Sequence, residues 1–487
     1  MPGAARRGVR RTIPPGGGGL VKFPRRAFLQ SAVLVAAGHG HGGESGPTNW
    51  ARLRSRLRER LVLPSDTGYD DLRQPYNTVY AGRRPAAIAR CARPADVQAC
   101  LEFAARERIP VAARSGRHSY AGYSVPERGL VIDVAGLSGV DVGPGGLVRV
   151  GAGTSLIGFY EGLGARGRSV PAGTCATVGI AGLALGGGIS VIGRKYGLTC
   201  DRLVGARIVT PDGCVRSVSA ESEPDLLWAL RGGGGGNFGV VTSFTFDSDP
   251  APDVTVFALG YPAAATGDVF GAWQDWIADA PDELWSGCRI TSGDPSTALV
   301  SGAYVGPARG LDPLLDRLGR VVPPTTREVR EMDYLTAMRY YAGCLPACPP
   351  RRGLPFVASS RMLDRPVEPE RMTGLVDGRR NVVLLFDSFG GALARVAPDA
   401  TAFPHRSALA SVQVFVDVID MTEAEARLSL ASIRDGLGTG ATGYVNYIDP
   451  DMPDWPTAYY GANAPRLRRV ARRYDPDRVL AFPQGLA

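Results

Sequence analysis

Histidine is scarce in this chain. There are four in 487 residues, and His39 and His41 fall within the first 43 positions, which leaves His118 and His405 for the body. With so few imidazoles, the eight cysteines cannot combine with histidine at zinc-type spacings, so no metal centre is expected. Long apolar runs are also missing. No stretch approaches the roughly 18 consecutive apolar residues that a membrane-spanning helix needs. Acidic residues are absent from residues 1–43, where Arg6, Arg7, Arg10, Arg11, Lys22, Arg25 and Arg26 supply seven of the net +8 charges and leave about +1 for the rest. A body so close to neutral lacks the basic face of a nucleic-acid binder.

What is present begins with that basic segment. Arg25-Arg26-Ala27-Phe28-Leu29, followed by the short apolar run from Ser31 to Gly38, resembles a twin-arginine export signal for a protein that folds before it crosses a membrane. The competing reading is a basic tail on a cytoplasmic protein, since no clear A-x-A cleavage site follows. Cys344 and Cys348 flank a proline-containing loop and could either bridge or remain as two buried thiols.

The remainder has ordinary globular composition, with 44% hydrophobic and 21% charged residues, and is long enough for two or three domains. From Ala86 to Thr245 strands alternate with helices. The Pro94-Ala95-Asp96 signal starts a helix with Asp96 as its cap, and Val97, Cys100, Leu101 and Ala104 fall on one face. Strands are expected near 109–112, 130–134, 147–150 and 203–210, with a helix beginning at Thr154. A Pro/Asp-rich stretch at 247–253 reads as a linker. Beyond it, apolar strands near 256–259, 298–302, 382–386 and 412–418 alternate with helices near 269–278, 311–318 and 422–437, an α+β pattern with a mostly antiparallel sheet.

Three clusters carry chemistry. The first, Arg114-Ser115-Gly116-Arg117-His118-Ser119-Tyr120-Ala121-Gly122-Tyr123-Ser124, follows a buried strand and can turn backbone N–H groups toward phosphate or a planar ring. The second, from Gly173 to Gly188, interleaves small and apolar residues around one cysteine, Cys175, and permits close backbone approach to a flat ligand. Its spacing does not fit the dinucleotide-binding G-x-G-x-x-G turn, and no acidic residue stands at the required distance. The third is a five-glycine run, Gly232 to Gly236, which passes directly into Asn237-Phe238-Gly239-Val240-Val241-Thr242 and so reads as a structural turn before a core strand.

Taken in order, these clusters resemble the berberine-bridge-enzyme-like oxidases of the vanillyl-alcohol-oxidase flavoprotein superfamily. The likeness continues through Arg194-Lys195-Tyr196-Gly197-Leu198-Thr199-Cys200-Asp201, Ala400 to Arg406, Tyr444-Val445-Asn446-Tyr447-Ile448-Asp449, and the segment from Tyr460 to Pro476, and so spans Tyr76 to Gln484. The resemblance implies a two-lobed PCMH-type FAD-binding domain at residues 45–248, completed by residues 440–487, with an α+β substrate domain at 249–439. It implies FAD attached through both His118 and Cys175. It implies further cofactor contacts from Arg114, Ser115, Gly116, Arg117, Ser119, Tyr120, Gly122 and Ser124 in the first cluster. The second cluster would add Gly173, Thr174, Val178, Gly179, Gly182, Leu185, Gly186, Gly187 and Gly188. Asn237, Gly239, Val240 and Val241 would follow from the third, and Asn446 from the C-terminal motif. Arg117 departs from the family, which usually has glycine there; its bulk would either reshape the loop or help offset negative charge on reduced flavin.

The resemblance also implies hydride transfer from an alcohol, lactol or amine carbon to flavin, with O2 as the acceptor and hydrogen peroxide as product. In several relatives a strand glutamate is the base, but the matching strand here offers Gln413. The second tyrosine of Tyr-x-Asn-Tyr, Tyr447, is therefore the expected base, with Tyr444 as the fallback. Either would need a nearby positive charge or donor to bring its pKa down from about 10. Arg406 and Gln413 are the expected substrate-pocket residues. The Gly-, Ala- and Arg-rich composition favours a secondary-metabolite substrate over a simple sugar. A carbohydrate oxidase, a non-redox cyclase and a drug-binding resistance flavoprotein are the alternatives.

Overall fold

The computed structural model describes residues 48–487 except 351, 439 and 441; the twin-arginine segment lies outside the described residues. Residues 49–487 form one unit. It contains a four-stranded sheet, β1 (Leu61–Val62), β2 (Ala87–Arg90), β3 (Val111–Arg114) and β4 (Leu130–Asp133), in the order β1-β2-β4-β3, with β4 parallel to both β2 and β3. A five-stranded antiparallel sheet follows: β5 (Val140–Val142), β6 (Leu147–Gly151), β7 (Leu203–Val209), β8 (Val215–Val218) and β9 (Val240–Asp247), ordered β5-β6-β9-β7-β8. The chain then builds seven antiparallel strands: β10 (Val254–Gly260), β11 (Leu284–Thr291), β12 (Thr297–Val305), β13 (Thr326–Met332), β14 (Phe356–Leu363), β15 (Val382–Ser388) and β16 (Ala410–Asp417). Their order is β13-β10-β12-β11-β15-β16-β14. This is the α+β architecture expected.

Two cores account for the arrangement. One joins the first two sheets to the C-terminal residues: Leu467, Tyr474 and Leu480 pack with Val150, Phe244 and Leu230. The other lies between the seven-stranded sheet and the helices Thr266–Ala278, Ala308–Val321, Pro369–Val376 and Glu423–Gly436, which supply Trp273, Leu315, Met372 and Ile433. On β15 the residues Val382, Leu384 and Phe386 are buried against those helices, while Val383, Leu385 and Asp387 are only half-buried on the opposite face. That period of two is the ordinary geometry of a strand with two different surroundings.

Local expectations shift at two caps. The helix predicted from Pro94 runs Pro94–Glu107 with Arg93 as its N-cap residue, and Asp96 reaches back from the first turn to accept from the Ala92 N–H at 3.0 Å. The helix predicted from Thr154 begins at Leu156. Ser155 caps it, accepting from the Gly158 N–H, while the Thr154 hydroxyl instead bonds the backbone of Gly139. Cys344 and Cys348 are disulfide-bonded.

Candidate active site

A cavity of about 960 Å³ opens between the loops that follow β3 and precede β9 and the half-buried face of the seven-stranded sheet. That is the size of a large small-molecule site. Its first wall is the cluster after β3. Arg114 turns inward and pairs with Asp133 at 2.6 Å, and both side chains are almost wholly buried. Ser115 Oγ donates to the Ala152 carbonyl at 2.8 Å. Gly116 and Gly179 bring two backbones into contact. A Cβ on Gly116 would stand 2.1 Å from the Gly179 nitrogen, so no other residue fits.

At the next residue the chain enters the left-handed region with a non-glycine residue, Arg117, at φ 68°. This explains why glycine suits that position, and it answers the question about Arg117 in part. The loop keeps the glycine-type turn, and the guanidinium donates to the Asp71 carbonyl at 3.3 Å and lies 3.8 Å from Asp133.

His118 and Cys175, far apart in sequence, meet across one hydroxyl. Thr177 Oγ1 is 2.8 Å from His118 Nε2 and 3.9 Å from Cys175 Sγ. The Tyr76 ring stacks on the His118 imidazole with centroids 4.0 Å apart, and Cys175 is an exposed free thiol at the cavity surface. Thr177 and Tyr76 were not singled out by sequence. The spacing Cys175-x-Thr177 was the available signal for the first; nothing in the sequence signals the second.

Further along the cavity, Ser119, Tyr120 and Ser124 line the same loop, and Val178, Gly179, Gly182 and Leu185 line the second cluster. Asn237, Gly239, Val240 and Val241 complete this wall with Asn446. Asn237 Nδ2 donates to the Gly233 carbonyl, and its Oδ1 accepts from the Leu486 N–H, so it ties the glycine run to the C-terminus. Residues 480–484 also line the cavity; they belong to the C-terminal segment expected to complete the FAD domain, although none was named as a cofactor contact.

Several expected contacts stand behind the wall. Gly173 accepts from Tyr160 Oη through its carbonyl, and Thr174 is half-buried beside it. Gly122 packs on the Tyr80 ring. Gly186, Gly187 and Gly188 form a supporting turn: a Cβ at 186 would collide with Asn446, and the Gly188 N–H donates to Tyr444 Oη at 2.8 Å. Tyr444 is therefore a buried strut that also accepts from Asn446 Nδ2, not a residue facing the cavity. Arg406 likewise does not line the cavity. It is buried and bidentate to Asp201 at 2.7 and 2.8 Å, because its position after the Phe403-Pro404 turn aims it into the core.

At the sheet end, Tyr120 stacks with Tyr447 at 5.5 Å, and Gln413 Nε2 donates to Tyr120 Oη at 2.8 Å. No cation among the described residues lowers the Tyr447 pKa. Burial pushes it well above its ordinary value, and the charge of Asp387 pushes it further. The charge expected beside Tyr447 to lower its pKa is thus replaced by an anion that raises it. The group tuned toward neutral pH is Asp387 on β15, which sequence reasoning passed over. It stands one row past the cavity-lining Leu385 on the same strand face, near Tyr447; its carboxyl is raised to about 7 by burial and accepts from Ser411 Oγ at 3.3 Å. The alternation Val383-x-Leu385-x-Asp387 could have found it.

The cavity suits a long cofactor with a flat ring. Ser124 Oγ is buried and has no hydrogen-bond partner among the described residues. A Cβ on Gly182 would meet nothing within 4 Å, and one on Gly235 only the edge of Leu185. Unfilled space beside glycine walls and an orphaned hydroxyl are what a bound group would complete.

Comparison with known proteins agrees with this geometry. Residues 85–219 match the family model of an FAD binding domain, and residues 443–487 match the model described as berberine and berberine like. The FAD-linked oxidoreductase YgaK of Bacillus subtilis is 32% identical over 448 residues, covering 89% of this chain and 98% of that protein. The xylooligosaccharide oxidase of Thermothelomyces thermophilus is 28% identical over 499 residues, covering 94% and 97%. The solved structure of BBE-like 1 from Physcomitrella patens superposes with a TM-score of 0.85 at 28% identity, covering 90% of this chain and 99% of that one. Matched along nearly its whole folded length to proteins of one kind, the chain belongs to the berberine-bridge-enzyme-like family of FAD-linked oxidoreductases.

Proposed function

We propose that the protein is an oxidase whose FAD is covalently held by both His118 and Cys175 and which oxidises an alcohol or amine carbon of a small secondary metabolite. The observation that carries the reading is the convergence of the two nucleophilic side chains on Thr177 at the same cavity that Tyr447 lines from the other side, with Asp387 near that phenol. When bound, FAD supplies the hydride acceptor and passes the two electrons to O2, which takes up two protons to give hydrogen peroxide.

The chain's own part is orientation and proton transfer. Tyr447, packed against the rings of Tyr120 and Tyr444 at the cavity wall, would offer its hydroxyl to the substrate O–H. Burial keeps that phenol protonated, so it serves as a hydrogen-bonding contact and proton relay. Asp387, whose carboxyl ionises near neutral pH, is the group that finally holds the substrate proton. The carbinol thus loses its proton to the protein and its hydride to the cofactor, leaving a carbonyl. An amine would leave an imine by the same balance.

A carbohydrate substrate is the second reading. It is favoured by relatives named as xylooligosaccharide and chitooligosaccharide oxidases, the latter 29% identical over 479 residues. Export through the twin-arginine segment is part of the proposal and is tested by replacing Arg25-Arg26 with lysines and following secretion. The attachment is tested by acid precipitation. Yellow colour should stay in the pellet for wild type and for His118→Ala and Cys175→Ala singly, and should be lost in the double variant. Peroxide release across a panel of alcohols, amines and sugars decides the substrate class.

A further inference from the structure

Two charged side chains on the cavity wall, the exposed Arg289 and the half-buried Asp417, have no ion-pair partner among the described residues. Arg289 on β11 and Asp417 at the end of β16 both line the cavity, and neither makes a side-chain hydrogen bond or ion pair among the described residues. They sense each other without pairing: the guanidinium partly offsets the rise that burial causes in the Asp417 pKa. Every other arginine on this cavity wall is engaged, Arg114 and Arg117 by Asp133 and Arg83 by backbone carbonyls. An unpaired guanidinium at a ligand cavity is a recognition element for a planar anion, whose two oxygens match its donors.

The sheet register fixes where that anion would lie. Gly287 pairs with Asp387, and Arg289 pairs with Leu385, which pairs in turn with Gln413. Arg289 therefore stands one row out from Asp387 on the same face, a step of roughly 7 Å along the strand. The surface between and beyond is apolar and aromatic: Leu385, Val383, Phe415 and Phe356, the last two stacked at 4.5 Å. Asp417 is four residues beyond Gln413 on β16, roughly 13 Å along the same strand face. An acid near it would be repelled, so the cavity wall has a polarity, with an anion favoured at the Arg289 row and disfavoured at the Asp417 row.

We infer that the substrate is a ring-bearing alcohol that also carries a carboxylate, bound by Arg289 about one ring length from the oxidised carbon, and that Asp417 limits it to a single acid in that orientation. This rests on the oxidase reading for where the reacting carbon lies. Arg289 is thereby a specificity-determining residue. A neutral sugar chain makes no use of it.

The test uses the purified, flavin-loaded protein and separates binding from turnover. 4-Methylbenzoate and 4-methylbenzamide, which carry no alcohol, are titrated against the flavin absorption spectrum. The wild type should bind the acid about tenfold or more tighter than the amide, the scale of one charge-assisted hydrogen-bonded contact. Arg289→Gln should erase that preference while leaving the amide affinity unchanged, and Asp417→Asn should tighten the acid several-fold by removing the competing charge. Equal affinities in wild type, or a preference that survives Arg289→Gln, overturns the inference. If Arg289→Gln yields no flavin-loaded protein, Asp417→Asn decides alone: unchanged or weakened acid binding overturns it. Anaerobic bleaching of the flavin by 4-(hydroxymethyl)benzoate is scored separately. Its failure alone, with the binding preference intact, counts against the oxidase reading and not against the acid site.

Discussion

Asp387 lies close enough to the cavity-lining Tyr447 that the charge of the first opposes ionisation of the second. The Asp387 carboxyl is raised to about 7 by burial, and in the proposed mechanism the acid accepts the proton with the phenol as its relay. Flavin reduction by substrate should therefore rise with pH through a midpoint near 7. Asp387→Asn should remove that limb and slow reduction by about 10²–10⁴-fold, the usual range for a lost general base. Stopped-flow bleaching across pH checks both.

The same shift has a stability consequence with a defined sign. A carboxyl whose folded pKa lies above its unfolded value near 3.8 holds its proton more firmly when folded. Its contribution is therefore full below about pH 4 and is lost as pH rises through 7. Asp387→Asn, neutral at all pH, should be more stable than wild type above pH 7, by up to something on the order of 4 kcal/mol, with the difference fading toward pH 4. Urea unfolding of the two proteins at pH 5 and pH 8 measures it.

How far the site was legible in sequence follows from the range of each signal. Local signals held: the glycine clusters marked the loops around His118 and Cys175, and strand alternation marked the sheets. The five-glycine run is a turn before β9, as its direct passage into apolar residues required. Signals that depend on partners distant in sequence did not hold. Arg406 reads as an exposed polar residue until Asp201 is placed beside it, 205 positions away. Asp387 reads as the polar end of an apolar strand until the register sets it beside Ser411 and near Tyr447. The charge beside Tyr447 likewise comes from a distant strand, and it is the anion Asp387 where a cation was expected.

Thr177 joins the two proposed attachment points. Removing its hydroxyl leaves His118 without the 2.8 Å contact that orients its ring, a loss of about 1 kcal/mol of hydrogen bonding. Thr177→Val should release more flavin on acid treatment than wild type, while Thr177→Ser, which keeps the hydroxyl, should behave as wild type. Pellet and supernatant absorbance report the fraction.

Buried Arg406 and Asp201 should act as structure and not as substrate contacts. Removing one partner of a buried bidentate pair typically costs about 3–5 kcal/mol. Arg406→Met should lower the melting temperature and the yield of flavin-loaded protein. In the protein that does fold, KM for any substrate should be unchanged. A KM change with an unchanged melting temperature would restore Arg406 to the substrate pocket.

Arg117 sets two effects against each other at one residue. Its left-handed backbone, φ 68°, costs about 1 kcal/mol for a residue with a Cβ, and glycine removes that cost. Its guanidinium contacts with the Asp71 carbonyl and, at 3.8 Å, with Asp133 are partly exposed and contribute only up to about 1 kcal/mol. Arg117→Gly should therefore leave stability close to wild type, the two terms nearly cancelling. Arg117→Ala keeps the strain and loses the contacts, so it should fall below Arg117→Gly by about 1 kcal/mol. Thermal melting of the three proteins separates backbone from side chain: a larger loss in Arg117→Gly than in Arg117→Ala would mean that the loop does not hold the left-handed turn at this position.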